Sequence, residues 1–317
     1  PTLMIKDTLH VDMYLKVGIL FGILFCMSSL ISFAGTWEKL KDPVKTSLGD
    51  SFSQAGSVFK SRSFRIFVGI YLSGQCGMDF VSGMAIYYVD EVLNGYSKGY
   101  LTMLMGVLLI SQLLGMLVFG PIMTKTSKKA TILIGAPIRI VCTLGLLAFS
   151  YEGAPIAPIL ALSAGVGIGN AATLTSIFAI LADMADVDEL ITSVSRPGIV
   201  SGMATFARKI SAGISAWVIG ILISFAGYDA SIAKAGLRQS LHTQNGISMI
   251  FIFLPVILVT LLLIFGYMFP ITKKEFELVH KEIARRKGED DSVATEEEKK
   301  VLKRVTGIEY EQLWGNK

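Results

Sequence analysis

Apolar positions along this chain come in long unbroken runs rather than in an alternating pattern. Seven stretches stand out: Val17–Ala34, Phe64–Val89, Tyr100–Gly120, Ala130–Phe149, Ile156–Ile180, Ile199–Phe225 and Ile247–Phe269. A helix needs about 20 such residues to cross a hydrocarbon core about 30 Å thick. Gly and Ser recur inside the runs, as in Gly165–Gly169 and Gly213–Ala216. Small residues let membrane helices approach closely, so the pattern predicts an all-α membrane protein packed as a bundle. The ten-residue alternation of a membrane β-barrel is missing.

The polar connections set an orientation. Residues 35–63 carry Lys39, Lys41, Lys45, Lys60 and Arg62, and the connection after the third run carries Lys125, Lys128 and Lys129. The connection after the second run has only Lys98 against Asp90 and Glu91, and the one after the fourth has no basic residue. The positive-inside rule places the basic connections in the cytoplasm. Alternation then puts the tail from residue 271 inside, the N-terminus outside, and the protein in the cell (inner) membrane as a multi-pass protein. Within the tail, Phe276, Val279 and Ile283 fall on one helical face of Lys273–Lys287.

Composition sharpens this picture. Of 317 residues, 52% are hydrophobic and 17% charged, and residues 271–317 alone hold 22 of the charged ones. So few charges in the rest exclude a soluble enzyme and a disordered chain. A net charge of +4 and the lack of basic blocks give no argument for nucleic acid. Cys26, Cys76 and Cys142 all sit in apolar runs, and His10, His242 and His280 lack metal-ligand spacing. No metal site, no resident cofactor and no nucleophile–base pair is expected, so the chain reads as a non-enzyme.

Ionisable residues inside membrane spans mark functional pathways by default. The sixth run carries Arg208 and Lys209, and Lys209 lies about 15 Å beyond Ile199 at 1.5 Å per residue, near the midplane. Lys209 either lines a polar cavity or forms a structural ion pair. Arg208 points about 100° away from it on a helix. Asp79 in the second run, with Gln75 one turn earlier, is a second candidate. Tyr87 and Tyr88 read as interface anchors or as outer liners. Arg139, Gln112 and Asn170 complete the polar set, and Asn170 would bond either a solute or a neighbouring helix. After the fifth run, Asp183, Asp186 and Glu189 recur every three residues and so share a face. Carboxylates near a helix C-terminus call for cations opposite, such as Arg196 or the cytoplasmic ends of other helices. They form either a cytoplasmic salt-bridge gate or a solvated loop.

The run Ala182-Asp183-Met184-Ala185-Asp186-Val187-Asp188-Glu189-Leu190, followed by Arg196, Gly198, Gly202, Thr205-Phe206 and Arg208-Lys209, resembles the glycoside–pentoside–hexuronide:cation symporters. That is the melibiose-permease branch of the major facilitator superfamily. Phe59–Phe64, Ala85–Tyr88 and Ser127–Lys129 are weaker matching pieces. The resemblance implies that the runs are helices 6 to 12 of a twelve-helix transporter whose N-terminal half is missing from this chain. Residues 1–34 would be helix six, 35–63 the central cytoplasmic loop, 64–270 the six-helix C-terminal bundle and 271–317 the charged cytoplasmic tail. The implied activity is symport of a sugar, glycoside or hexuronide with Na⁺ or H⁺ by alternating access. The implied partners are that solute, the coupling cation, the bilayer and the missing half. Lys209 falls on the family's helix-eleven lysine near the sugar and cation sites, and Thr205 on a cavity-facing position. Asp183, Asp186 and Glu189 match acidic positions at the end of helix ten. Ser195-Arg196-Pro197-Gly198 departs from the family's Arg-Arg-Glu-Gly, which removes one basic and one acidic partner. A lysophospholipid transporter of the same superfamily and a seven-helix receptor are the alternatives.

Overall fold

A computed structural model describes residues 11–36, 55–95, 99–235 and 237–315. Most of the expected central loop, residues 37–54, lies outside the described residues. The chain divides into two units, Pro1–Ser51 and Phe52–Lys317. In the first, α1 (Val11–Gly35) is a 25-residue helix that carries no charged residue from Val17 onward. That is the composition of a span surrounded by other apolar groups rather than by water.

The second unit contains α2 (Arg62–Tyr87), α3 (Tyr100–Lys125), α4 (Lys128–Gly145), α5 (Ile156–Thr192), α6 (Pro197–Phe225), a short α7 (Ala230–Lys234) and α8 (Leu241–Met268). Two tail helices follow, α9 (Lys273–Lys287) and α10 (Glu296–Thr306). No strand occurs among the described residues.

Six described helices are long and apolar enough to cross a membrane, against the seven expected. The one that falls short is α2. It has 26 residues, ample length, but Ser73, Gln75, Asp79 and Ser82 dilute its apolar character. After Tyr87 it passes into a π-helical turn, Tyr88–Val92. Tyr88 is wholly buried, stacks on Phe251 with ring centroids 4.2 Å apart, and hydrogen-bonds Ser150 at 2.9 Å. It is a core residue, not an interface anchor.

Helix α5 is the hub, packing against α2, α3, α4 and α6. Small residues make the approach to α4 possible. A Cβ placed on Gly169 would sit 2.7 Å from the carbonyl oxygen of Gly135 on α4, so neither helix tolerates a side chain there. Helix α5 is also longer than its apolar run. It continues through Asp183, Asp186 and Glu189 to Thr192, where the sequence reading placed a connecting loop. Met184, Val187 and Leu190 are buried along that extension and hold it helical. Ser193, at φ +62°, ends it in the left-handed conformation.

The tail folds back on this end of the bundle. Helix α9 opens with a capping box of Thr272 and Glu275 and buries Val279 and Ile283, the face predicted by the 3.6-residue period. Gly288, at φ +77°, closes it. Helix α10 has its own capping box, Thr295 with Glu298, and buries Leu302 and Val305. Ser63 at the start of α2 donates to the Val305 carbonyl at 2.6 Å. The backbone N–H groups of Trp314 and Gly315 donate to the carbonyls of Leu190 and Ile191 at 2.9 and 3.0 Å. They satisfy acceptors that the last turn of any helix leaves open.

Candidate functional site

Two polar constellations stand out, one inside the bundle and one at its tail end. The first joins α2 and α6. Arg208 Nη2 donates to Asp79 Oδ1 at 2.7 Å. Only one hydrogen bond links the two groups. Asp79 Oδ2 and Arg208 Nη1 are buried and have no partner among the described residues. The helical offset separates Lys209 from this pair. It is exposed and forms no ion pair among the described residues. Of the two readings of Lys209, the structural ion pair does not form with Asp79, which pairs with Arg208 instead. Thr205, one turn before Lys209, is exposed on the same face, and Gln75, one turn before Asp79, is half-buried.

The strip of α6 that carries Lys209 is built of small residues, with Phe206 and Ile210 exposed to either side. Gly202, Gly213, Ala216 and Gly220 are exposed along the same strip of α6. A Cβ on any of those three glycines would meet nothing within 4 Å.

Asn170 belongs to a different group. It is 2% exposed and lies between Arg139 of α4 and Gln112 of α3, bonded to each at 2.9 Å. The structure does not bring it to the Asp79–Arg208 pair by any hydrogen bond.

The tail-end constellation gathers the acidic face of α5. Asp183 pairs with Lys128, which begins α4, and Lys128 also lies over the Phe276 ring at 5.0 Å. Asp186 faces His280 Nε2 at 3.4 Å, and Glu189 pairs with Lys287 at 2.7 Å. Arg196 is not opposite these three. It grips Asp188 through two hydrogen bonds, at 2.7 and 3.0 Å, and Ser57 at 2.8 Å. The partners from α9 went unnamed at the sequence level, although the basic character of Lys273–Lys287 was the available signal. Among the described residues no cluster of His, Cys, Asp or Glu is suited to hold a metal.

A family model for MFS/sugar transport proteins matches residues 3–273. The chain belongs to that family. The family consists of transporters, not enzymes, and with its apolar helices this chain is a multi-pass membrane protein. It is similar to the glucuronide carrier protein homolog of Escherichia coli K12, with 27% identity over 212 residues, 65% of this chain and 44% of the relative. It is also similar to the isoprimeverose transporter of Lactiplantibacillus pentosus, with 24% identity over 254 residues, 77% of this chain and 49% of the relative. The chain thus spans about half the length of these curated relatives. Both relatives are named for carbohydrates, which does not favour the lysophospholipid alternative, and the family match sets aside the receptor.

Proposed function

We propose that the protein moves a sugar, glycoside or hexuronide across the inner membrane by alternating access, driven by Na⁺ or H⁺, with the tail on the cytoplasmic side. The observation that carries this reading is the half-satisfied Asp79–Arg208 pair between apolar helices, at the same depth as Lys209 on the adjoining exposed face of α6. Arg208 and Lys209 sit about 17–18 Å from the start of α6, near the middle of a span about 43 Å long. Ionised groups at that depth need water, a counter-charge or a hydroxyl-rich ligand. The open carboxylate oxygen accepts from a sugar hydroxyl, and the open guanidinium nitrogen donates to one. Lys209 and Thr205 add a cation and a hydroxyl from the same helix face. A uronic acid would engage Lys209 through its carboxylate, and a neutral glycoside through hydroxyl oxygens. The cluster of Asp183, Asp186 and Glu189 with Lys128, His280 and Lys287, joined by Arg196 with Asp188, would close the cytoplasmic end.

The test is Lys209→Met in the full-length transporter, reconstituted in liposomes and offered radiolabelled methyl β-D-glucuronide and isoprimeverose under Na⁺ or proton gradients. The expected outcome is normal insertion with uptake reduced at least tenfold. Normal gradient-driven uptake by a normally inserted variant would remove Lys209 from the pathway.

A further inference from the structure

Arg139 is wholly buried, yet it has no carboxylate partner among the described residues. Its Nη1 donates to Asn170 Oδ1 at 2.9 Å and, at the limit of a hydrogen bond, to the Gly74 carbonyl at 3.4 Å. Its Nε and Nη2 have no partner among the described residues. Asn170 Nδ2 in turn donates to Gln112 Oε1 at 2.9 Å. Gln112 is half-buried and is the outermost member of the row.

The direction of this row follows from chemistry. A guanidinium carries donors only, so Asn170 must turn its oxygen toward Arg139. The Asn170 nitrogen is then left for Gln112, which must answer with its oxygen. The Gln112 amide nitrogen consequently faces away, and it has no partner among the described residues. Two amides that would otherwise be free to flip are oriented by one cation. For packing alone a buried guanidinium is a poor choice, since an apolar side chain of similar size avoids its desolvation.

We propose that Arg139 is a positioning residue: acting through Asn170, it holds Gln112 with its amide N–H groups outward, as a donor for a hydroxyl or carboxylate oxygen of the transported sugar. The ligand class rests on the transport reading above. The row itself does not.

The test uses the reconstituted full-length transporter with methyl β-D-glucuronide as the probe. Asn170→Asp keeps an oxygen toward Arg139 but offers Gln112 an acceptor, so Gln112 must turn its nitrogen inward. Gln112→Glu keeps the acceptor for Asn170 and removes the outward donor. Each is expected to raise KM by about 3–10-fold, the worth of one hydrogen bond, with Vmax within about twofold and an unchanged melting temperature. Arg139→Lys, still donor-only, should keep KM near wild type, whereas Arg139→Gln should raise it. Unchanged KM in Asn170→Asp and Gln112→Glu would overturn the proposal, as would a lowered melting temperature with KM intact. A wild type that takes up no probe would sink the transport reading instead. The row would then be judged by melting Arg139→Gln, Gln112→Ala and the double variant. Non-additive shifts support it and additive shifts overturn it.

Discussion

Arg139 and Glu282 are both wholly buried charged side chains, and their surroundings could hardly differ more. Glu282, on tail helix α9, receives Arg285 at 3.2 Å, Arg286 at 3.0 Å and the Tyr310 hydroxyl at 2.7 Å. Every one of its partners lies in the tail, and both carboxylate oxygens are used. Arg139, inside the bundle, has two of its three nitrogens unpartnered among the described residues. Asp79 and Arg208 share the bundle's habit, each with one open atom. A satisfied buried charge holds one arrangement firmly. An under-satisfied one keeps free energy in reserve for a second arrangement or for a ligand. The tail is built in the first manner and the bundle interior in the second.

The strongest test of this contrast removes the tail's centre. Glu282→Ala removes the acceptor shared by Arg285, Arg286 and the Tyr310 hydroxyl, leaving Arg285 its bonds to Glu298 and Ser292, and breaking such a buried network costs about 3 kcal/mol. Hydrogen exchange of α9 and α10 should accelerate by more than about a hundredfold, while sugar uptake per correctly inserted molecule falls less. Equal collapse of uptake and tail protection would erase the distinction between the regions.

Next in size is the bundle pair. Asp79→Asn and Arg208→Gln should each lower stability by about 2 kcal/mol, because each leaves the other charge unpaired between two membrane helices. The double variant should regain most of that in a thermal melt and still take up no sugar. A double variant that transports normally would show the pair to be mere scaffold.

Acid should loosen the tail at its second helix. A hydrogen bond from the Thr295 backbone N–H, helped by Lys281 and Arg285 against the effect of burial, holds the Glu298 carboxyl down from 4.5 to about 2. A lowered folded-state pKa stabilises fully above the unfolded value and loses that contribution as pH falls through the folded one. The protection of α10 in hydrogen exchange should therefore be level from neutral pH down to about 5 and decline toward pH 2. Protection that rises on acidification would contradict this. The smallest effect belongs to Thr295→Ala, which removes one helix cap and should destabilise α10 by about 0.5–1 kcal/mol, measured as faster exchange of its first turn.

Much of the architecture was legible because membrane helices advertise themselves by apolar length, and because Phe276, Val279 and Ile283 mark the buried side of α9. The charged residues that matter were also visible one by one. What one dimension withheld was their pairing. Arg208 and Lys209 are neighbours in sequence, yet the helical offset sends one to Asp79 and leaves the other free. The acidic row on α5 demanded cations, and Arg196 was the nearest in sequence. It takes Asp188, while the folded-back tail supplies Lys287 and sets the His280 ring opposite Asp186. Gln112, Arg139 and Asn170 lie on three different helices, so only packing turns them into one row.

The 37 residues of α5 have a mechanical consequence. Unbroken, they form a rod about 55 Å long, nearly twice the thickness of the hydrocarbon layer it crosses. Asn170 sits fourteen residues from one end, and the carboxylates that hold the tail lie close to the other. Such a rod works as a lever. Rocking by 5° about its middle displaces each tip by roughly 2.4 Å, given its length at 1.5 Å per residue. That stroke is nearly the length of a hydrogen bond, so a tilt set by the solute deep in the bundle would be delivered to the tail as contacts made or broken.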